Sequence, residues 1–248
     1  MTTRRILFLT LMTSLLAARI LNAAGEAEFA KANQAYAEGR FEDAVAGYDS
    51  VVRVGHWNAN VFYDLGNAWY RLGDFGKAIL NYERALALDP RHPEAEANLR
   101  LARDEGRALE LRLSTAERYA SMATTTQYSI LAAASFWLAM FCGFHWFFSR
   151  RRSVGPLLLV VASLVVTAIS VFGIVASENG TRGNALAIIT AKETEARLAT
   201  ADNAKSILVL PGGSQITVLS ERGDWLYAAL PNEQRGWIPA RVAERVRL

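Results

Sequence analysis

Three apolar runs and two patterned regions divide the chain. Positions 6–18 are mostly apolar and follow Arg4 and Arg5. Positions 128–148 and 154–176 contain no Asp, Glu, Lys or Arg. At ~1.5 Å rise per residue, each of these two runs reaches about 31–35 Å as a helix, enough for a bilayer hydrocarbon core. Only residues 149–153, Ser-Arg-Arg-Arg-Ser, lie between them. The pair predicts a transmembrane α-hairpin. Before it, apolar residues recur at three- and four-residue steps, the signature of amphipathic helices. After about residue 180, short β-rich runs alternate with turn residues, the signature of strands.

The helical region repeats itself with a 34-residue period. Residues 59–92 carry Phe62, Leu65, Gly66, Trp69, Gly73, Phe75, Ala78, Tyr82, Ala85 and Pro90. One period earlier stand Ala32, Gly39, Phe41, Ala44, Tyr48 and Val51, opposite Gly66, Gly73, Phe75, Ala78, Tyr82 and Ala85. Small residues let paired helices approach, Gly39 and Gly73 suit a turn with positive φ, and the aromatics fill the space between helices. Pro90 ends the second helix of its repeat, and His56 takes the equivalent place as a turn residue. This pattern resembles the tetratricopeptide repeat, with repeats at 25–58 and 59–92. A helix from Pro93 to about Arg107 then acts as the cap that a solenoid needs over its last apolar face. The lack of Pro and Gly from Ala108 to Ser121 allows that helix to continue toward the membrane, so the module is bounded at 25–121.

The resemblance implies a concave peptide groove lined by the first helix of each pair. Its residues here are Phe29, Asn33 and Tyr36, then Asn60, Tyr63, Asn67, Tyr70 and Arg71. Aromatics supply contact area and amides can bond a peptide backbone. Asn33 and Asn67 match the carboxylate-clamp members of the family, but Phe29 replaces their lysine, which argues against capture of a C-terminal carboxylate. The bland alternative is that these residues stabilise the repeats or face water.

Strands are predicted at 185–191, 206–209, 215–220, 225–230 and 236–239. Pro211-Gly212-Gly213, Arg222-Gly223-Asp224 and Pro231-Asn232-Glu233 form turns between them. Ala191-Lys192, Gly213 ahead of Ile216 to Leu219, Gly223-Asp224-Trp225, and Gly236-Trp237-Ile238-Pro239 ahead of Val246 resemble the bacterial SH3-like domain, placed at 183–248. Trp225 and Trp237 are expected to plug or flank a small barrel, and Pro239 to start a 3₁₀ turn. Trp225, Tyr227 and Trp237 form a candidate aromatic surface for peptides or cell-wall material; burial in the core is the competing reading. The fold class is therefore multidomain: an all-α repeat solenoid, a transmembrane α-hairpin and a small all-β SH3-like barrel.

Composition refines the topology. The chain is 52% hydrophobic with a mean hydropathy of +0.11, and the excess lies in the three runs. Its net charge is +3 and its pI about 9.1, but the surplus is local. Six arginines (Arg4, Arg5, Arg19 and Arg150 to Arg152) carry it. Residues 25–126 hold 12 basic and 16 acidic side chains, and residues 177–248 hold 9 and 8. No soluble region is a basic patch, which argues against nucleic acid as a partner. The positive-inside rule places the arginine loop in the cytoplasm and both flanking modules outside. Residues 1–24 read as a secretory signal peptide cleaved near Ala23, Ala24 and Gly25, which exports the repeats independently. Arg19, close to that site, suits an uncleaved anchor instead. The lone cysteine, Cys142, excludes an intramolecular disulfide and a CxxC pair.

No phosphate loop, HExxH, nucleophile elbow or dinucleotide-binding glycine signature is present, so no enzymatic activity, metal or cofactor is predicted. His56, His92 and His145 are too scattered for a ligand set. His145 is near the end of its span, where snorkelling to the interface is expected. Ala139 and Gly143 offer a surface for a neighbouring helix. The order of modules resembles the BatE family of the bacterial aerotolerance operon. That resemblance implies an inner-membrane envelope complex linked to stress tolerance, with von Willebrand factor A-domain membrane proteins as partners. The rival expectation is a sensor or tether that binds peptidoglycan through its SH3-like domain.

Overall fold

The computed structural model describes residues 25–55, 58–149, 153–180 and 183–247. The expected signal peptide, His56 and Arg150 to Arg152 lie outside the described residues. The helical module contains α1 (residues 25–37), α2 (Phe41–Arg53), α3 (Ala59–Arg71), α4 (Phe75–Leu88) and α5 (Pro93–Gly106). The starts of α3 and α4 are set by side chains: Asn58 accepts a hydrogen bond from the Val61 N–H, and Asp74 from the Lys77 N–H. Gly39 and Gly73 have φ of 77° and 76°, which explains glycine at matching turns of the repeat. At Gly66 the reason is space, because a Cβ there would come within 2.7 Å of the Tyr82 ring.

The expected helical run through Ala108 to Ser121 is broken. Arg107 closes α5 in the left-handed conformation, with φ 51°. Residues 108–114 are extended, and a short α6 (Thr115–Ala120) follows with a Ser114/Glu117 capping box. The break serves packing: Leu109 N–H donates to Ser214 Oγ, Leu111 N–H to Gln215 Oε1, and Gln215 N–H to the Leu109 carbonyl. The segment therefore lies along the sheet, where its backbone groups find partners that are more than a hundred residues away in sequence.

Two apolar helices follow, α7 (Thr125–Phe148) and α8 (Val154–Asn179). Both are long and apolar enough to cross a membrane, at 24 and 26 residues. They pack antiparallel, with Tyr128 against Gly173, Ser135 Oγ 2.7 Å from Thr167 Oγ1, and Gly143 facing Val160. Ala139 is buried in this contact, so the small-residue surface of α7 seats α8. Ile130, Phe141, Phe144, Leu158 and Ile169 stay exposed on the outside of the pair, as lipid-facing residues do. His145 is exposed in the last turn of α7.

The C-terminal module is an antiparallel sheet of seven strands: β1 (Leu186–Ile189), β2 (Glu193–Arg197), β3 (Ser206–Pro211), β4 (Gln215–Arg222), β5 (Trp225–Ala229), β6 (Arg235–Pro239) and β7 (Ala243–Arg245). A 3₁₀ turn, Ala240–Val242, follows Pro239 as expected. The spatial order is β3-β2-β6-β5-β4-β1-β7. The expected closed barrel is not met by the hydrogen bonding, because edge strands β3 and β7 do not pair with each other. β7 is held instead on the repeat side, where the adjoining Val246 is buried with Ile79, Leu99, Leu186 and Ile188.

That cluster answers how the modules sit. β1 is buried on both faces: Ala187 and Ile189 enter the sheet core, and Leu186 and Ile188 enter the core shared with α4 and α5. Gly76 on α4 allows the approach, since a Cβ there would lie 2.9 Å from the Ile189 carbonyl oxygen. Glu83 on α4 accepts from Gln215 Nε2 at 2.8 Å and from Arg103, which also pairs with Glu110 at 3.0 Å. Repeat, linker and sheet meet at these four side chains. Charge buried at such a joint has to be paired to be tolerated.

Candidate functional site

The first helices of successive repeats, α1, α3 and α5, lie side by side and present one stripe each. On α1, Phe29 packs against Tyr48 with ring centroids 5.7 Å apart, and Tyr36 meets Phe41 edge-on at 5.3 Å. On α3, Tyr63 lies 6.2 Å from Tyr82 and 4.9 Å from His92, and Tyr70 meets Phe75 at 5.6 Å. The Arg71 guanidinium sits 4.6 Å from the centroid of Phe41, so Tyr36 and Arg71 converge on one ring from two repeats. Asn60 is exposed at the start of α3, and none of these ring contacts involves it.

The two matching asparagines have a shared structural task. Tyr48 Oη donates to Asn33 Oδ1 at 2.7 Å, and Tyr82 Oη donates to Asn67 Oδ1 at 2.8 Å. Asn67 Oδ1 also accepts from Asn98 Nδ2 at 2.8 Å, and Asn98 approaches Tyr63 Oη at 3.4 Å. Their carbonyl oxygens are thus engaged within the repeats, and the amide NH₂ groups are what a ligand backbone can use. Burial raises both tyrosine pKa values well above the usual phenol range, so these hydroxyls stay donors.

Sequence reasoning did not assign Asp64, His92 or Asn98 to the groove. Asp64 lies one turn from Asn60 and three residues before Asn67, hence on the same stripe of α3. Its signal was available as the one acid inside that stripe. The role of Asn98 depends on contacts from another helix and had no local signal.

The second candidate surface is on the sheet. Tyr227 and Trp237 are register partners across β5 and β6, with rings 5.0 Å apart, and Trp225 lies opposite Pro239. Their neighbours Leu226, Ala228 and Ile238 fill the core, so alternation puts Trp225, Tyr227 and Trp237 together on the other face, half-buried. Arg197 on β2 pairs with Trp237 beside them.

A cleft of about 1420 Å³ lies elsewhere, between α4–α5 and the upper ends of α7 and α8. Much of its charge is paired internally, as in Arg103 with Glu83 and Glu110, and Arg100 with Glu96.

The family described as Tetratricopeptide repeat matches residues 59–92, the segment that forms α3 and α4. No curated protein matches the chain. Residues 59–92 thus match one tetratricopeptide repeat, and the helical region as a whole is consistent with an array of such repeats, which suggests protein partners in general.

Proposed function

We propose that this protein is a membrane-anchored, non-enzymatic scaffold that holds a segment of a partner protein in the α1–α3–α5 groove. The observation that carries this reading is the groove itself: aromatic rings and amide groups from successive first helices, set by internal hydrogen bonds, on a repeat matched to a known interaction family. The α7–α8 pair supports membrane anchoring, because its exposed apolar side chains need lipid. In this reading the arginine loop faces the cytoplasm, residues 1–24 are a signal peptide, and both modules lie in the periplasm or its equivalent. The short antiparallel strands with a 3₁₀ turn after Pro239 support an SH3-like affiliation.

The module order supports a BatE-type role, in a complex with von Willebrand factor A-domain membrane proteins linked to envelope or oxidative stress tolerance. A groove this short suggests affinity on the order of micromolar. A photoreactive residue at Asn60, used for crosslinking in intact membranes, tests the reading. Crosslinks to a defined membrane protein are expected, and they should disappear when Asn67 and Tyr70 are both changed to alanine. Their survival in that double variant removes the basis for groove binding.

A second reading has its own support. The tilted Tyr227–Trp237 pair with Trp225 is a half-exposed aromatic face, suited to stacking on sugar rings of peptidoglycan. The full chain in detergent, incubated with purified wall sacculi, should then sediment with them and lose that behaviour when Trp225 and Trp237 become alanine. Equal sedimentation of the variant counts against it.

A further inference from the structure

We infer that the groove is selective for a segment carrying a lysine or arginine side chain, and that Asp64 receives its positive charge. This rests on the reading that the groove holds a protein segment. Asp64 is half-buried on the α3 stripe between Asn60 and Asn67. Among the described residues it makes no hydrogen bond and no ion pair. An unpaired carboxylate held partly out of water is costly, and the usual remedy is a cation within reach.

Among the described residues no cation lies within ion-pair distance of it, and His92 on α5 is the neighbour whose positive charge, when present, favours the ionised carboxylate. Tyr48, from α2, is committed to Asn33. His92, at the start of α5, stacks on Tyr63 and uses Nδ1 to accept the Ala95 N–H. Arg71 is two turns further along α3, held over Phe41. Desolvation raises the Asp64 pKa to about 6, so the site gains from a ligand cation that keeps the carboxylate ionised.

Two exposed positions beside it agree in sign, and the cation of the stripe, Arg71, is held over Phe41. Glu26 and Glu94 occupy the positions one period before and after Asn60, on α1 and α5, and both are exposed. A peptide carboxylate would meet like charge at Asp64, Glu26 and Glu94, whereas a basic side chain flanked by apolar residues would meet an opposite charge at Asp64.

The test uses the full chain, immobilised in detergent, and three synthetic dodecapeptide pools. The pools are end-capped and randomised except for a fixed central Lys, Ala or Glu. The Lys pool should be retained about tenfold more than the Ala pool, and the Glu pool least. Asp64→Asn, a near-isosteric change that also removes a buried charge, should abolish that preference while retaining the Ala pool. Equal retention of the Lys and Ala pools by the wild type overturns the inference and leaves groove binding intact, and this comparison needs no variant. A Lys preference that persists in a folded Asp64→Asn protein overturns the assignment to Asp64. If the wild type retains no pool, groove binding itself fails, and this inference with it.

Discussion

At the scale of single residues, two positions on α3 have opposite consequences when changed. Gly66 sits where the Tyr82 ring leaves no room for a methyl group. Gly66→Ala should therefore destabilise the repeats by about 1–3 kcal/mol, read as a lower thermal midpoint in detergent. Asp64→Asn should act the other way near neutral pH. The folded pKa of Asp64, about 6, lies above the ordinary value of 3.8. The folded state therefore binds this proton more tightly than the unfolded state. Its stabilising contribution is fully present below about pH 4 and is lost as pH rises through 6. Thermal melts should show the wild type gaining roughly 1–2 kcal/mol between pH 7.5 and pH 4.5 relative to Asp64→Asn, after allowance for solvent screening. An identical pH response of the two proteins would show that Asp64 is not desolvated.

Elements differ in how far local pattern determines them. The repeat helices and the two long apolar helices were legible because periodicity and length fix them. The apolar runs 128–148 and 154–176 lie within helices Thr125–Phe148 and Val154–Asn179, which extend beyond them by polar end residues such as Thr125 and Asn179. β2 was not legible, because Glu193–Arg197 offers the core only Ala196. The break after α5 was also hidden: Arg107 is an ordinary residue type, and the extended segment owes its shape to Ser214 and Gln215. β1 carried a signal that is clear in retrospect. Its continuous apolar run Leu186–Ile189 marks a strand buried on both faces, here by the sheet core and by the repeats. For the site, the 34-residue shift exposed Asn33 and Asn67, and Asp64 was readable as the one acid of the α3 stripe, but Asn98 gains meaning only from neighbours on other helices. The joint between elements is testable at Glu83. Glu83→Ala leaves Arg103 and Gln215 without their shared acceptor and should cost about 3 kcal/mol. Limited proteolysis should then cut faster within residues 108–114, while an unchanged rate would mean that the polar joint does not hold the linker on the sheet.

For the whole molecule, the repeats and sheet share an apolar core and a polar joint, so the groove and the aromatic face are held in one geometry. The linker into α7 and the exit from α8 meet near α6, where Gly180 lies against Glu117 and Tyr128 Oη donates to the Tyr119 carbonyl at 3.3 Å. The antiparallel pair thus connects both modules at the same end of the two long helices. Under the proposed reading, two weak surfaces fixed in this way would raise each other's effective concentration toward a partner at the membrane.

The central claim is that this shared end faces away from the cytoplasm. Alkaline phosphatase, which is active only when exported, can be fused after Leu248 in one strain, and a fluorescent protein that folds only in the cytosol in another. An active phosphatase and a dark fluorescent fusion are the predicted pair. The reverse pair, with a silent phosphatase and a bright fluorescent fusion, would contradict the account.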